Sequence, residues 1–175
     1  MAFAAPAAPH KQRAYRLGIL TLFASVGVIL AALAFEYIGG YKPCPLCLQQ
    51  RWAYYAGIPL AFGALAVFSA NHERAAALLF FVICLMFLYN SGLGVYHAGA
   101  EWKLWPGPDT CTGELQPLNR ARGLLGNLGK TPVVRCDEAA WRMLGLSFAG
   151  WNVVLSLVIA IFSLKAAFAS AASSK

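Results

Sequence analysis

The chain has 175 residues, of which 59% are hydrophobic and only 12% are charged. Soluble domains carry about 25% charged residues, so this composition favours a membrane protein. The formal net charge of +7 does not indicate nucleic-acid binding, because the basic residues are scattered between hydrophobic segments and form no basic face. Anionic lipid headgroups are the expected counter-charge. The length suits a single unit over residues 1–175.

Four apolar segments are each long enough to cross a hydrocarbon core of ~30 Å. We interpret the first as an uncleaved helix, because its apolar run exceeds the roughly 7–15 residues of a signal peptide and further spans follow. The sequence therefore predicts an all-α membrane protein, a bundle of four transmembrane helices with a short loop at about 39–47 and a long loop at about 97–146 between helices 3 and 4. The predicted spans cover about residues 17–38, 48–69, 75–96 and 147–168.

Four spans place both termini on one side of the membrane. That side carries six Lys and Arg residues and the side with the cysteine loops carries eight, so a raw count favours termini outside the cell. Basic residues beside the first helix weigh more, and three precede this helix whereas only Lys42 follows it. Paired loop cysteines also favour a non-cytoplasmic, oxidising compartment for the loops. We therefore predict that both termini are cytoplasmic.

The chain has five cysteines. Cys84 falls inside the apolar run FFVICLMFLY and is interpreted as a small buried hydrophobic residue. The other four lie near span ends or in loops, where they can react, and they form two pairs. These are Cys44 with Cys47, and Cys111 with Cys136.

The first pair is a C-x-x-C in the stretch YKPCPLCLQQRWAYY, at the start of the second span. Pro43 and Pro45 suit the first turn of a helix, and the positive end of a helix dipole raises the thiolate fraction of a nearby cysteine. Arg51 follows Cys47 by four residues, so the two share one helix face. A charge at this depth is costly and is a functional candidate.

Two other interpretations of the first pair are weaker. An inert disulfide over so few residues would restrict the unfolded chain little. A four-cysteine zinc site is possible on ligand number, but 24 residues separate Cys111 from Cys136, unlike the close spacing of a zinc knuckle. Redox exchange is the favoured interpretation, and no metal is predicted.

Cys111 lies in the turn-rich stretch PGPDTCTG, where another protein can reach it. The second pair could simply tie the loop, but beside a redox C-x-x-C a relay is the more economical interpretation. The outer pair would take electrons from a soluble dithiol and exchange with the inner pair, which would pass two electrons to a membrane quinone. Arg51 could stabilise a thiolate and a developing quinol anion. His97 lies near enough in topology to assist, although for His97 taken alone an ordinary interfacial histidine is the favoured interpretation.

Two features of the long loop indicate contact with the membrane surface. Trp102 and Trp105 suit the headgroup level. Residues 115–128 form a weak amphipathic pattern, which predicts a short helix lying on the membrane.

These motifs resemble those of the DsbB family, the bacterial inner-membrane disulfide bond formation proteins. The resemblance covers nearly the whole chain, with four spans, a short outer loop before KPCPLCLQQR and a long outer loop that carries two more cysteines. It implies a multi-pass protein of the inner membrane, a protein-disulfide oxidoreductase that reoxidises a periplasmic DsbA-like thioredoxin-fold oxidase. It also implies ubiquinone or menaquinone as the electron acceptor.

The resemblance further implies residue roles. Cys111 would form the mixed disulfide with the DsbA-like partner, and Cys136 would be the disulfide partner of Cys111. Cys44 and Cys47 would be the quinone-side pair, with Cys47 adjoining the quinone. Two residues would belong to the quinone site, namely Arg51 and, less securely, His97.

Two alternatives remain open. Quinone reductases of the vitamin K epoxide reductase type are also four-helix bundles with two cysteine pairs, but their quinone-side C-x-x-C falls late in the chain. A non-enzymatic four-span membrane protein could use its disulfides only to brace loops.

Overall fold

The computed structural model describes residues 9–107 and 135–173. Within these ranges, four helices are long and apolar enough to cross a membrane, and the predicted all-α four-helix bundle is confirmed. The predicted surface helix at 115–128 lies outside the described residues, as does Cys111. The four helices are α1, Pro9–Tyr37; α2, Pro45–Ser69; α3, Glu73–Glu101; and α4, Phe148–Ser173.

Helix α3 continues past the apolar run on which its prediction rested. The sequence placed His97 in the loop, whereas the structure places His97 and Glu101 in the last turns of α3. Backbone hydrogen bonds within a helix do not need apolar side chains, and the intervening Ala98 and Ala100 are strong helix formers. Because α3 is longer than predicted, His97 and Glu101 have fixed positions on a helix.

A two-stranded hairpin that the sequence did not predict precedes α4. Strand β1 (Arg142–Met143) pairs with strand β2 (Leu146–Ser147) in antiparallel register. The turn residues Leu144 and Gly145 have φ values of 54° and 82°, the left-handed conformations that a tight two-residue hairpin turn requires. Strands of two residues show no alternation of apolar and polar positions, so periodicity could not reveal them.

The most extensive contact between helices in the bundle is that of α3 with α4, whereas α2 and α4 touch at few positions. Four large side chains form the centre of its core and are almost completely buried: Phe80, Ile83, Phe87 and Ile159. Many large apolar side chains point outward instead, as suits a bundle surrounded by lipid. Examples with more than half of their surface exposed are Phe23, Leu30, Phe62, Leu78 and Phe168.

A group of polar side chains links three helices inside the bundle. The Tyr54 hydroxyl of α2 donates to Asn152 Oδ1 of α4 at 2.8 Å. Asn90 of α3 donates through Nδ2 to Ser156 Oγ of α4 at 2.9 Å. Hydrogen bonds of this kind contribute roughly 0.6 kcal/mol each in membrane bundles. Their main consequence is that α2 keeps its orientation towards α4 despite the sparse contact.

The close approach of α3 and α4 gives a test of the packing. A Cβ at Gly94 would lie 2.8 Å from Val153 Cγ2 and 3.3 Å from the Val153 backbone nitrogen. We expect Gly94→Leu to destabilise the protein by roughly 1–3 kcal/mol, as overpacked cores do, and to lower the thermal unfolding midpoint in detergent. Gly92→Leu is the matched control on the same helix, since a Cβ there meets no atom within 4 Å. Equal midpoints for the two variants would contradict this packing.

Candidate active site

Cys44 is the N-cap of α2. Its backbone is extended, with φ −77° and ψ 167°, and its sulfur accepts a hydrogen bond from the Cys47 backbone N–H at 3.2 Å. Pro45 occupies the first helical position, where a missing N–H costs nothing. The sequence placed Cys44 near the start of the second span. The structure places it at the boundary, with Cys47 in the first turn.

The two thiols of this pair face each other. Their sulfur atoms lie 3.0 Å apart, and both residues are free cysteines, as is Cys84. Cys84 packs in the central core beside the other buried residues of α3, in agreement with its interpretation as a buried hydrophobic residue. Cys44 is only 3% exposed, so its reactivity depends on what the surrounding side chains provide.

The neighbours of Cys44 favour its thiolate. The hydrogen bond that the Cys47 thiol donates to a Cys44 thiolate has the largest effect and lowers the pKa of Cys44 well below the ordinary value. Burial opposes this shift, and the hydrogen bond and positive charge that His97 can offer add to it. Cys44 is therefore the thiol of the pair that ionises first.

His97 is almost completely buried and contacts three polar groups. Its Nε2 lies 3.6 Å from Cys44 Sγ and 3.8 Å from Glu101 Oε1, and its Nδ1 lies 3.1 Å from Gln50 Nε2. An amide nitrogen donates, so in this arrangement Nδ1 accepts and the ring proton is on Nε2. Gln50 thus directs the imidazole N–H towards Cys44 and Glu101.

Glu101 is held from the opposite side of the site. The Ser147 hydroxyl donates to the Glu101 carboxylate, and the Gly150 backbone N–H donates to Ser147 Oγ at 3.2 Å. A buried carboxylate requires such partners, because an unpaired charge away from water is costly. The contact joins the end of α3 to the start of α4.

Arg51 forms an ion pair with Glu36 at the end of α1. The side chains of Arg51 and Glu36 are 12% and 23% exposed, so the pair is largely shielded from water. Paired charges at this depth are far less costly than isolated ones. The ion pair fixes the guanidinium beside the first turns of α2.

The two thiols, the imidazole and the Arg51–Glu36 ion pair contribute to the lining of a cavity of about 540 Å³. The rest of its lining is mainly apolar residues of α1 and α4 and a cluster of aromatic rings, and it also includes the polar residues Lys42, Arg135, Glu138 and Asn152. Trp141 stacks on Phe148 with ring centroids 4.9 Å apart, and Phe35 packs edge-on against Phe148 at 5.0 Å. The volume lies within the range of ligand sites in proteins, and a mainly apolar lining with a smaller number of polar groups is typical of such sites.

Cys136 lies beside the C-x-x-C pair. It is 1% exposed and packs in one small buried cluster with Cys44 and Leu46, with Cys47 at its edge. It is disulfide-bonded. The alternative of a four-cysteine zinc site would need four free thiolates, whereas Cys136 is disulfide-bonded.

Ion pairs hold the segment that carries Cys136. Asp137 bonds to Lys103 at 2.9 Å and to Arg135 at 2.9 Å, and the hydrogen bonds from these cations lower the pKa of Asp137. Lys103 lies just beyond the end of α3. The contacts therefore tie the Cys136 segment to the same helix that carries His97.

The structure brings four of the predicted site residues to one cavity, and a fifth packs beside them. The four are Cys44, Cys47, Arg51 and His97; the fifth is Cys136.

Three contributing residues were missed by sequence reasoning. Glu36 interrupts the first apolar run, and a charge in such a run is a usable signal. Glu101 follows His97 by four residues, the spacing of neighbours on a helix. Gln50 gives no signal, because only the packing of α2 against α3 brings it to His97.

The family model described as disulfide bond formation protein DsbB matches residues 14–166. A disulfide bond formation protein B of Methylococcus capsulatus is 30% identical over 162 residues, 89% of this chain and 93% of its own. One of Xanthomonas oryzae is 28% identical over 165 residues, 89% of this chain and 91% of its own. An uncharacterized protein of Rickettsia prowazekii is 25% identical over 154 residues, 87% of each chain. No solved structure matches the chain. Because the family model covers most of its length, the protein belongs to the DsbB family of disulfide bond formation proteins.

Proposed function

We propose that the protein is a membrane thiol:quinone oxidoreductase that reoxidises a periplasmic DsbA-like dithiol oxidase. The observation that carries the proposal is the position of the free Cys44–Cys47 pair, between a disulfide-bonded Cys136 on one side and an apolar cavity with a cation on the other. A pair that only braced loops would not need a shielded cation, a buried histidine and a ligand-sized chamber beside it.

The first thiol–disulfide exchange joins the partner to the outer cysteine pair and passes electrons to the inner pair. A thiolate of the partner attacks Cys111 of a Cys111–Cys136 disulfide, and Cys136 leaves as a thiolate. Cys136 then attacks Cys44 of an oxidised Cys44–Cys47 pair and forms a Cys136–Cys44 disulfide, so that Cys47 leaves as a thiolate. The packing of Cys136 against Cys44 in one buried cluster supports this step.

The second exchange completes the oxidation of the partner. The partner's other thiol attacks its own sulfur in the mixed disulfide and releases Cys111. Cys111 then attacks Cys136, which restores the outer disulfide and leaves Cys44 and Cys47 reduced. The described arrangement, with Cys44 and Cys47 free and Cys136 disulfide-bonded, corresponds to this state of the cycle.

The cavity residues suit a quinone. When bound, a ubiquinone or menaquinone would supply the acceptor for two electrons and two protons, so that the reduced Cys44–Cys47 pair could return to a disulfide. The aromatic and aliphatic wall suits a planar apolar ring, and Arg51 offers donors for a carbonyl oxygen that gains negative charge. Glu36 keeps the guanidinium oriented before a ligand arrives, since the ion pair leaves Arg51 few other positions.

His97 and Glu101 suit the handling of protons on the other side of the pair. His97 directs Nε2–H at Cys44 and stabilises its thiolate, the form that gives up electrons. The Glu101 carboxylate beside the same ring nitrogen is placed to balance a charged imidazole. His97 and Glu101 together hold a proton at His97 Nε2 while the Cys44 sulfur changes its oxidation state.

The proposed orientation follows from this chemistry. Both loops that carry cysteines face the periplasm and both termini face the cytoplasm of a bacterial inner membrane. A periplasmic location allows a soluble thioredoxin-fold protein to reach Cys111, while the cavity at α1 and α4 faces membrane lipid.

The first prediction concerns turnover. Cys44→Ser should abolish quinone-dependent oxidation of a reduced DsbA-like protein, because no inner disulfide can form. The measurement is quinone reduction by purified protein with either quinone type. Cys84→Ser is the matched control and should retain activity, since Cys84 lies in the core away from the cavity. Wild-type turnover in Cys44→Ser would refute the relay.

A second prediction separates the two half-reactions. Arg51→His should raise the KM for quinone or lower the quinone-dependent rate on the order of 100-fold, as removal of a charge-stabilising donor does. Thiol exchange with the partner should change little, because Arg51 points towards Glu36 and the cavity. Stopped-flow measurement of each half-reaction tests this, and equal losses in both would exclude a quinone role for Arg51.

A third prediction concerns pH. The lowered pKa of Cys44 is that of the folded protein. The Cys44 thiolate should therefore persist as the pH falls below about 8.5, the ordinary pKa of cysteine. It should become protonated only when the pH falls below the lowered pKa. Ultraviolet absorbance of the reduced protein at pH 7 should therefore report one thiolate. His97→Ala should move its titration to higher pH, since His97 contributes to the shift. Identical absorbance at pH 7 for wild type and Cys44→Ser would contradict the assignment.

A further inference from the structure

We propose that the reduced site binds a thiophilic divalent cation, with Zn²⁺ as the representative ion, through Cys44, Cys47 and His97. The bound ion would hold the thiols and stop their oxidation. The binding itself is argued from geometry alone, whereas its effect on turnover rests on the proposed function.

The three ligand atoms already converge. The two sulfurs and a ring nitrogen of His97 lie within 4.8 Å of one another. In a tetrahedral zinc site with Zn–S near 2.3 Å and Zn–N near 2.0–2.1 Å, a sulfur and a nitrogen are about 3.6 Å apart and two sulfurs about 3.8 Å apart. Cys44 Sγ and His97 Nε2 are 3.6 Å apart, so this pair needs no movement. The sulfurs, at 3.0 Å, need to separate by about 0.8 Å, which a rotation of the Cys47 side chain can supply.

Glu101 lies at the edge of this group, and its side chain would have to move to become the fourth ligand. Its Oε1 lies 3.8 Å from His97 Nε2, compared with about 3.4 Å between an oxygen and a nitrogen on one tetrahedral zinc ion. Two thiolates and a carboxylate more than neutralise a divalent cation, so the buried charge falls when the ion binds. Sulfur and imidazole ligands favour Zn²⁺ over Mg²⁺ and Ca²⁺, which prefer oxygen.

A supporting group for the histidine is also present. When Nε2 binds a metal, the ring proton moves to Nδ1 and needs an acceptor, a role that outer-shell groups fill in most zinc sites. Gln50 lies 3.1 Å from Nδ1, and its amide can turn to present oxygen in place of nitrogen. Gln50 therefore suits both states of the ring.

The proposed binding changes no oxidation state. One ion displaces the protons that the two thiols still carry, and no electrons move. An oxidised Cys44–Cys47 pair has no thiolate to offer and should not bind the ion. A ligand specific for the reduced form stabilises that form by mass action, so the ion should trap the protein after it has accepted electrons.

The test uses the full chain in detergent or nanodiscs, in a Cys111→Ala/Cys136→Ala background that leaves only the inner pair and Cys84. Co²⁺ is the spectroscopic probe, because thiolate-to-cobalt absorption reports sulfur ligation, and Zn²⁺ is then titrated in competition. We expect one ion per reduced chain and none in the oxidised chain. Equal binding in both states, or none in the reduced state, would overturn the proposal without relying on any further variant.

Variants locate the ligands. His97→Ala and Cys47→Ser should each abolish the cobalt spectrum, and Gln50→Leu should weaken Zn²⁺ binding by roughly 10- to 100-fold, as loss of an outer-shell partner does. Cys84→Ser is the control and should leave the affinity unchanged. Loss of binding in Cys84→Ser, or retention in Cys47→Ser, would place the ion elsewhere and refute the assignment.

Turnover by the wild-type chain is measured separately. Zn²⁺ should inhibit quinone-dependent oxidation, and a chelator should restore it. Metal binding in a protein that never reduces quinone would refute the proposed function and keep this inference. Turnover in a protein whose reduced form binds no metal would refute this inference and keep the proposed function.

Discussion

The hydrogen bond from the Cys47 backbone to the Cys44 sulfur fixes both thiols of the inner pair at once. The first N–H groups of a helix have no partner within it, and near a membrane few water molecules can replace them. Here the sulfur itself is the capping group. The reactive atom is thus also a structural element of α2, and its position depends on where that helix begins. The prolines on either side of Cys44 restrict that starting point.

The remaining polar groups of the site arrive in pairs from different helices. Glu36 of α1 meets Arg51 of α2, and His97 of α3 meets Gln50 of α2. Each pair satisfies charges or hydrogen-bonding groups that would be costly alone in an apolar setting. The same pairs determine which way the guanidinium and the imidazole point. Stability in the membrane and orientation of the functional groups therefore have a common physical origin at this site.

The sequence was sufficient for features that depend on local composition. Long, mostly apolar runs predicted the four helices, and the proline-flanked C-x-x-C predicted thiols at a helix start. Features that depend on side-chain contacts between distant segments were out of reach. The partner of Arg51 lies 15 residues away on another helix, and the contact between Gln50 and His97 spans 47 residues. The end of α3 was placed too early, because the prediction followed hydropathy although helix formation does not require it.

The position of Cys136 depends on the residues directly beside it. Asp137, held by Lys103 and Arg135, anchors the chain immediately beside the cysteine. The anchoring cation, Lys103, lies just beyond the end of α3 and only six residues from His97, so Cys136 and the imidazole are both held at this end of α3. Movement of the bundle as a whole does not change the distance between Cys136 and the imidazole of His97.

The cavity wall follows α1 from Gly27 to Glu36, a rise of about 14 Å along the helix axis. Within the predicted first span, 17–38, this stretch begins near the middle and ends at the level of the thiols. A ligand seated there would come sideways out of the lipid phase, with its polar end towards Arg51 and its apolar part towards the membrane interior. The concentration that governs its binding is then the mole fraction in the bilayer. Added lipid or detergent would dilute such a ligand even when its total amount in the sample stays constant.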